Sequence, residues 1–247
     1  MTRPIGSSAR ALIVRVRNLG RRGAGDKGFT LTEMVVVISI LSVVLAMVAT
    51  TTITAQKNLN GSSARLDQIQ QGKLAIEAMT KTLRTAVRPT QLNATCTGCD
   101  QAAFLQGNAR TVQFYANINN PSNITGPSRV SYIVNGNGEL TESIQAPNAH
   151  AANDFNYQYC TPGPGCVVTS RVIARGVSTT STLFTYYDSS GATFSTLPLS
   201  VGDLPRVDSV DVVISVQRSP QVRGTTFTQR VTLPNADSVQ QTAVPTP

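Results

Sequence analysis

The fold is decided by a short polar motif that runs directly into an apolar segment near the N-terminus. Residues 27–33 read KGFTLTE, and residues 34–49 read MVVVISILSVVLAMVA, a run that only Ser39 and Ser42 interrupt. A helix of about 20 residues is needed to cross a hydrocarbon core of about 30 Å. The run is slightly short by itself, but Phe29 and Leu31 extend it backwards to a workable length. The pattern therefore predicts a membrane-spanning helix.

Such a helix carries Glu33 into or near the membrane. A carboxylate at the centre of a membrane helix is disfavoured by roughly 2.5 kcal/mol or more, and acids in membrane helices usually pair with a partner. We therefore expect Glu33 to need a positively charged group from outside its own segment.

The residues from Gly28 to Glu33, followed by the apolar run, resemble the prepilin motif of type IV pilins and of type II secretion pseudopilins. The resemblance implies that a prepilin peptidase cuts between Gly28 and Phe29 and methylates the new amine of Phe29. It also implies a role for Glu33 in assembly and register, because the Phe29 amine of a neighbouring subunit would supply its counter-ion. The implied partners are prepilin peptidase, other pilin or pseudopilin subunits, an inner-membrane assembly platform and membrane lipid.

An ordinary secretory signal peptide is the alternative interpretation of the N-terminus. It needs a basic start, a shorter apolar stretch and a site with small residues, for which Val44-Leu45-Ala46 is a candidate. This interpretation leaves Glu33 unexplained and predicts a mature protein without a membrane helix.

The net charge of the chain is concentrated before the apolar run. Residues 1–28 hold seven basic residues against Asp26, a net charge of +6 out of the total of +8, which leaves +2 for the remainder. Basic residues that precede an apolar helix stay on the cytoplasmic side, so the bulk of the chain is expected outside. Because the charge belongs to a leader that is expected to be cleaved, we assign no nucleic-acid partner.

The sequence divides into five predicted segments. They are a basic leader (1–28), a transmembrane and assembly helix (29–54), its amphipathic continuation (55–88), a β-rich head (89–235) and a disordered tail (236–247). Apolar positions at helical spacing define the continuation; the stripe comprises Leu66, Ile69, Lys73, Leu74, Ile76, Met79, Leu83 and Val87. Arg88-Pro89 predicts its end, and Asn60-Gly61-Ser62 predicts a weak point or kink.

Short β-branched and aromatic runs separated by turn residues follow from residue 91. The predicted strands are 111–116, 129–134, 139–144, 167–173, 183–187, 210–217 and 227–233. Asn135-Gly136 predicts a hairpin, and residues 188–191 predict a turn. A helix followed by hairpin-connected strands predicts an α+β fold, in which the long N-terminal helix packs on an antiparallel sheet, as in pilins.

The C-terminal half adds a looser resemblance. Residues 172–177, 184–188 and 210–214 follow one another in an order similar to that of minor pilins and J-type pseudopilins. The large head agrees with this, since bulky heads are harder to stack densely. We therefore expect a minor subunit rather than the main repeating one.

The four cysteines form two close pairs, Cys96 with Cys99 and Cys160 with Cys166. Oxidised thiols are expected outside the cytoplasm, and four cysteines allow three connectivities. Local pairing is slightly favoured because its partners are near in sequence. A four-thiolate zinc site and free thiols remain the alternatives.

No pattern in the sequence supports catalysis. His150 is the only histidine and lies in a loop-like context, whereas Asp208 and Asp211 are expected to be solvated rather than metal ligands. We assign no catalytic residue, metal or cofactor. Three hypotheses remain: a structural subunit of a type IV pilus-like or type II secretion filament, a tip adhesin on the same anchor, and a secreted soluble β-rich protein.

Overall fold

The computed structural model of the protein describes residues 28–92, 101–149, 157–220 and 222–236. The leader up to residue 27, Cys96, Cys99, His150 and the chain beyond residue 236 lie outside the described residues. The chain divides into two compact units, one ending at Thr54 and one beginning at Ala55, which are described separately below.

The longest element is the α-helix α1, Leu31–Leu83, which has 53 residues. The prediction of one long N-terminal helix is confirmed. The predicted kink is wrong, since the helix continues through Asn60, Gly61 and Ser62 without a break. A single glycine costs only about 1 kcal/mol relative to alanine in a helix interior. A helix this long tolerates that cost.

The end of α1 lies before the predicted one. After Leu83 the chain leaves the helix, and Ala86 forms an isolated bridge with Ala116 of the β-sheet. A short helix, α2, Pro89–Leu92, then follows. Pro89 therefore begins a helix here instead of ending one, as proline does readily at a first helical position.

The face of α1 that is buried in the second unit differs from the predicted stripe. Its buried residues are Gln68, Gly72, Ala75, Met79 and Leu83. The burial of Met79 and Leu83 was predicted, but Leu66 and Leu74 are 60% and 64% exposed. The reason is close approach: a Cβ built on Gly72 would lie 2.1 Å from Cε2 of Phe227, so large side chains cannot occupy this part of the interface.

A five-stranded antiparallel sheet forms the first part of the head. Its strands are β1 Phe104–Gly107, β2 Thr111–Ala116, β3 Ser128–Val134, β4 Glu139–Gln145 and β5 Thr169–Arg175, and they pair in chain order. The predicted hairpin is confirmed: Asn135 N donates to the carbonyl of Glu139 at 3.0 Å, and Gly138 has a positive φ of 70°. Strand β1 was not predicted.

A second antiparallel sheet contains three strands. They are β6 Phe184–Tyr187, β7 Ser209–Val216 and β8 Thr225–Thr232, again paired in chain order. The sequence predicted these strands within a single sheet. The structure divides the strands between two sheets, which an isolated bridge between Val177 and Val216 joins. The α+β fold class is confirmed.

The core of the head lies between the buried face of α1 and the inner faces of both sheets. Its largest fully buried apolar and aromatic side chains are Met79, Leu83, Phe104, Phe114, Tyr132, Leu140, Phe184, Tyr186, Ile214 and Leu233. Burial of this apolar area is the main favourable contribution to folding. Ala236 also belongs to this core, being 1% exposed, and its N–H donates to the carbonyl of Leu233.

Candidate processing and assembly site

The residues before α1 form an N-cap. Met34 N donates to the carbonyl of Thr30 at 3.2 Å, and Glu33 N donates to Thr30 Oγ1 at 3.3 Å. Threonine is a favoured N-cap residue because its hydroxyl satisfies an amide that has no partner within the helix. Thr30 and Glu33 have the spacing of a capping box. This role of Thr30 was not predicted, although the Thr-x-x-Glu pattern indicates it.

Glu33 lies in the first turn of α1. A negative charge there interacts favourably with the positive end of the helix dipole. In the part of the chain that the structure describes, however, the Glu33 carboxylate accepts no hydrogen bond and forms no ion pair. The amide of Glu33 is therefore satisfied within the chain, and its charge is not.

The hydroxyl groups further along this helix are all satisfied internally. From Ser39 to Thr54 each serine or threonine hydroxyl donates to a backbone carbonyl three or four residues earlier, at 2.7–3.1 Å. For example, the distance from Ser39 Oγ to the carbonyl oxygen of Val35 is 2.7 Å. Such bonds let hydroxyl groups enter an apolar environment, where an unpaired polar group is costly. The Glu33 carboxylate is thus the exception within this segment.

The first unit is apolar on every side of the helix. Large apolar side chains from Met34 to Val48 are each 48–63% exposed, and none is buried. A helix that is hydrophobic all round is normally buried in a membrane or in a large protein core. Among the described residues, α1 alone is long and apolar enough to cross a membrane, by length and composition.

Gly28 and Phe29 lie in non-helical backbone immediately before the N-cap. A Cβ built on Gly28 meets no atom within 4 Å, and its φ is not in the left-handed region. Phe29 is 76% exposed. Neither the packing nor the backbone conformation of the described chain therefore requires glycine at position 28.

One of the two cysteine pairs falls within the described residues. Cys160 and Cys166 form a disulfide with a Cα–Cα distance of 5.6 Å, in the connection between β4 and β5. Gln145 Nε2 donates to the carbonyl of Cys160 at 2.6 Å, which fixes this loop to the end of β4. Local pairing is therefore confirmed for this pair. Cys96 and Cys99 lie outside the described residues.

The head contains a buried acid that the sequence analysis missed. Glu142 is 1% exposed, accepts a hydrogen bond from the hydroxyl of Tyr132 at 2.6 Å and pairs with Arg171 Nε at 2.5 Å. Burial, and then the bond to Glu142, raise the pKa of Tyr132 well above its usual range. Tyr132 is therefore a neutral hydrogen-bond donor to Glu142 at neutral pH.

Asp211 is not solvated as expected. Arg230 binds its two carboxylate oxygens through Nε at 2.7 Å and Nη2 at 2.8 Å, and the hydroxyl of Tyr187 donates to it at 2.9 Å. The bonds from Arg230 are the main reason that the pKa of Asp211 lies below its usual range. Asp211 thus joins β7 to β8 in a structural ion pair.

The described residues were also compared with the side-chain clusters that bind metal ions. Within them, no group of three or more histidine, cysteine or acidic side chains is placed to hold a metal ion. In the head, Glu142 and Asp211 each pair with an arginine on a neighbouring strand, and His150 lies outside the described residues.

Comparison with known families gives one match. Residues 24–49 match the family model of the prokaryotic N-terminal methylation motif. The match contains Gly28, Phe29 and Glu33, and it is the signature of type IV prepilin-like proteins, here followed by a long apolar helix. No curated protein matches the chain significantly. The match covers 26 of the 247 residues, so it describes the N-terminal motif and the start of the apolar helix, as type IV pilins and pseudopilins have them, and not the head.

Proposed function

We propose that the chain is a structural subunit, of the minor type, of a type IV pilus-like or type II secretion filament. The observation that carries the proposal is the match at residues 24–49 together with the state of the helix it contains. Within residues 31–54 that helix satisfies its serine and threonine hydroxyl groups and leaves only the Glu33 carboxylate without a partner among the described residues. Such a helix can enter lipid without unpaired hydroxyl groups, and its Glu33 carboxylate can then pair with a cation of another molecule.

Cleavage between Gly28 and Phe29 by prepilin peptidase is the first proposed step. The free space around Gly28 supports this, because the described chain gives no reason of its own for a glycine there. A peptidase that must bring the scissile bond close to its catalytic groups does give such a reason, since a side chain would hinder the approach. The exposed Phe29 would then carry the new amine, which the same enzyme methylates.

Assembly is the second step. The positive Phe29 amine of one subunit would pair with the Glu33 carboxylate of its neighbour, in a medium where an unpaired charge is costly. The apolar side chains around residues 34–48 would pack against those of neighbouring helices. Only one axial offset places amine and carboxylate together, so the pair sets the register of the filament.

The minor-subunit assignment rests on the head. Its two sheets and their connections follow α1 for well over a hundred residues, and a head of this size is harder to stack densely than a small one. Before assembly the head would lie outside the cytoplasmic membrane, with an inner-membrane assembly platform extracting the subunit into the filament.

The deciding experiment is the N-terminal sequence and mass of the mature protein from its native cell envelope. We expect a chain that begins at Phe29 and is heavier by one methyl group. A chain that begins near Met47 or Thr50 would indicate ordinary secretion and would overturn the proposal.

Two variants separate processing from assembly. Gly28→Val should retain its leader, because the peptidase would meet a branched side chain at the cut. Glu33→Ala should be cleaved normally but be depleted from purified filaments, whereas the neighbouring Thr32→Ala, which keeps the carboxylate, should be incorporated. Normal incorporation of Glu33→Ala would contradict the proposed pairing of amine and carboxylate.

A further inference from the structure

An open groove lies in the second unit between α1 and the connection from β7 to β8. Three of the side chains that line it are basic: Lys57 and Arg65 from the helix, and Arg223 from the connection. None of the three pairs with an acid or donates a side-chain hydrogen bond within the described residues. Most arginines on the sheets, by contrast, face an acid on a neighbouring strand or turn.

A buried glutamine holds the two walls of the groove together. Gln68 is fully buried, its Nε2 donates to the carbonyl of Arg223 at 3.1 Å, and its Oε1 accepts from Arg218 N at 3.1 Å. The connection is therefore fixed to the helix at two points. Arg218 itself pairs with Asp67 at 3.2 Å. The groove cations Lys57, Arg65 and Arg223, by contrast, have no acidic partner among the described residues.

Gly61 lines the same groove, and the fold does not require it. A Cβ built on Gly61 meets nothing within 4 Å, and glycine is less favourable than alanine inside a helix. Its effect is to leave the space between the basic side chains open. The neighbouring Asn58 and Ser62 add uncharged hydrogen-bonding groups to the lining. A recess with three cations and neutral donors suits a phosphate ester.

The position along the chain indicates which phosphate ester occupies the groove. No charged residue lies between Glu33 and Lys57, and Lys57 follows the last residue of the first unit, Thr54, by three residues. Three residues of a helix rise about 4.5 Å, and the headgroup region on each side of a bilayer is about 5–8 Å thick. If residues 31–54 cross the membrane, Lys57 is within reach of phospholipid headgroups.

We infer that the groove formed by Lys57, Arg65 and Arg223 binds the phosphate headgroup of an anionic phospholipid from the bilayer that holds the apolar segment. The inference rests on the proposed function for that segment. Basic residues next to a membrane span attract anionic lipid. A single-stranded nucleic acid is the less suitable occupant, because such sites combine a longer basic track with aromatic side chains on which bases stack. The lining of this groove contains no aromatic residue among the described side chains.

The test measures lipid retention by the full-length protein. The protein is reconstituted in nanodiscs of phosphatidylglycerol and phosphatidylcholine in equal amounts, and the lipids that remain bound after release are identified by native mass spectrometry. The groove variant is Lys57→Gln/Arg65→Gln/Arg223→Gln. A matched variant, Lys73→Gln/Lys81→Gln/Arg84→Gln, removes the same charge from two exposed lysines of α1 and from the exposed Arg84 just after it, all outside the groove lining.

We expect the wild-type protein and the matched variant to retain more phosphatidylglycerol than the groove variant does, since the basic leader, which all three proteins share, contributes equally to each. Each basic residue near a membrane surface contributes about fivefold, so the loss is expected to approach a hundredfold. Near-ultraviolet circular dichroism, which reports the buried tyrosines of the head, should be the same for all three proteins.

The alternative outcomes are distinguishable. An equal loss of preference in both variants would show that general charge, not the groove, attracts lipid, and would overturn the inference. Equal retention of phosphatidylglycerol by all three proteins, with each still resisting alkaline extraction, would overturn the groove assignment and leave the filament proposal intact. Failure to remain in the bilayer at all would overturn the filament proposal. Binding of a short single-stranded DNA that only the groove variant loses, with lipid retention unchanged, would assign the groove to nucleic acid.

Discussion

The same substitution at two glycines of α1 should have opposite effects on stability. Alanine in place of glycine favours a helix by about 1 kcal/mol. At Gly61 nothing lies within 4 Å of the added Cβ, so Gly61→Ala should increase the free energy of unfolding by up to that amount. At Gly72 the added Cβ lies 2.1 Å from Cε2 and 2.4 Å from Cδ2 of Phe227, closer than any ordinary contact.

The ring of Phe227 must therefore move by more than about 1 Å, and overpacking of this kind costs about 1–3 kcal/mol. The gain of about 1 kcal/mol from the higher helix propensity of alanine offsets part of this cost. Gly72→Ala should therefore be neutral to about 2 kcal/mol destabilising, and the unfolding free energies of Gly61→Ala and Gly72→Ala should differ by about 1–3 kcal/mol. The measurement is urea unfolding of the full-length protein in detergent, followed by the near-ultraviolet circular dichroism of the buried tyrosines.

A third variant identifies the cause. In a Phe227→Ala background the clash is absent, so Gly72→Ala should become stabilising there. If Gly72→Ala stabilises the otherwise unchanged protein as much as Gly61→Ala does, the close approach of helix and sheet does not limit the side chain at position 72. The account of the buried helix face given above would then be wrong.

Three further perturbations probe the head. Arg171→Met leaves the buried carboxylate of Glu142 without its cation and should cost about 1–3 kcal/mol in the same unfolding assay, less than for a fully buried pair because the arginine is largely exposed. Cys160→Ser/Cys166→Ser removes the disulfide that closes a short loop and should lower the free energy of unfolding by about 2 kcal/mol. An unchanged urea midpoint would mean that the loop is ordered without the disulfide. Because the pKa of Asp211 is lowered in the folded protein, its ion pair contributes stability above pH of about 4 and loses it as the pH falls further. The difference in Tm between wild type and Asp211→Asn should therefore narrow below that pH, and a constant difference would contradict the assignment.

Local signals in the sequence were sufficient for much of the fold. The strand Thr111–Ala116 and the hairpin around Asn135-Gly136 were predicted correctly, because alternation and turn chemistry act between close neighbours. The division of the strands between two sheets was not predicted. Alternation identifies a strand but does not say whether it pairs beyond the next hairpin.

The helix interface was mispredicted for a different reason. Apolar periodicity assigns the largest apolar residues to the core, and it therefore selected Leu66 and Leu74, which are exposed. Where a helix approaches a sheet closely, the buried positions are small, and here they include Gly72 and Ala75. Which face approaches depends on the partner surface, here Phe227 of β8, which lies far away in sequence.

The polar contacts between neighbouring strands could not be predicted without knowing the strand register. Glu142 lies opposite Tyr132 on β3 and opposite Arg171 on β5. Once these pairings are known, a hydrogen-bonded acid between a tyrosine and an arginine follows from cross-strand neighbourhood alone. The N-terminal motif, by contrast, needed no register, because its residues are adjacent in sequence.

Three glycines of the chain differ in whether the fold itself requires a residue without a side chain. Gly72 is explained within the chain, since the ring of Phe227 occupies the space of a side chain. Gly28 and Gly61 have free space around them and lie outside the left-handed region of backbone conformation. Alanine at either position would not disturb the described structure, and at Gly61 it would favour the helix. The described structure therefore gives no reason for glycine at these two positions. The proposed peptidase at the Gly28–Phe29 bond and the proposed lipid headgroup in the groove beside Gly61 would each provide one.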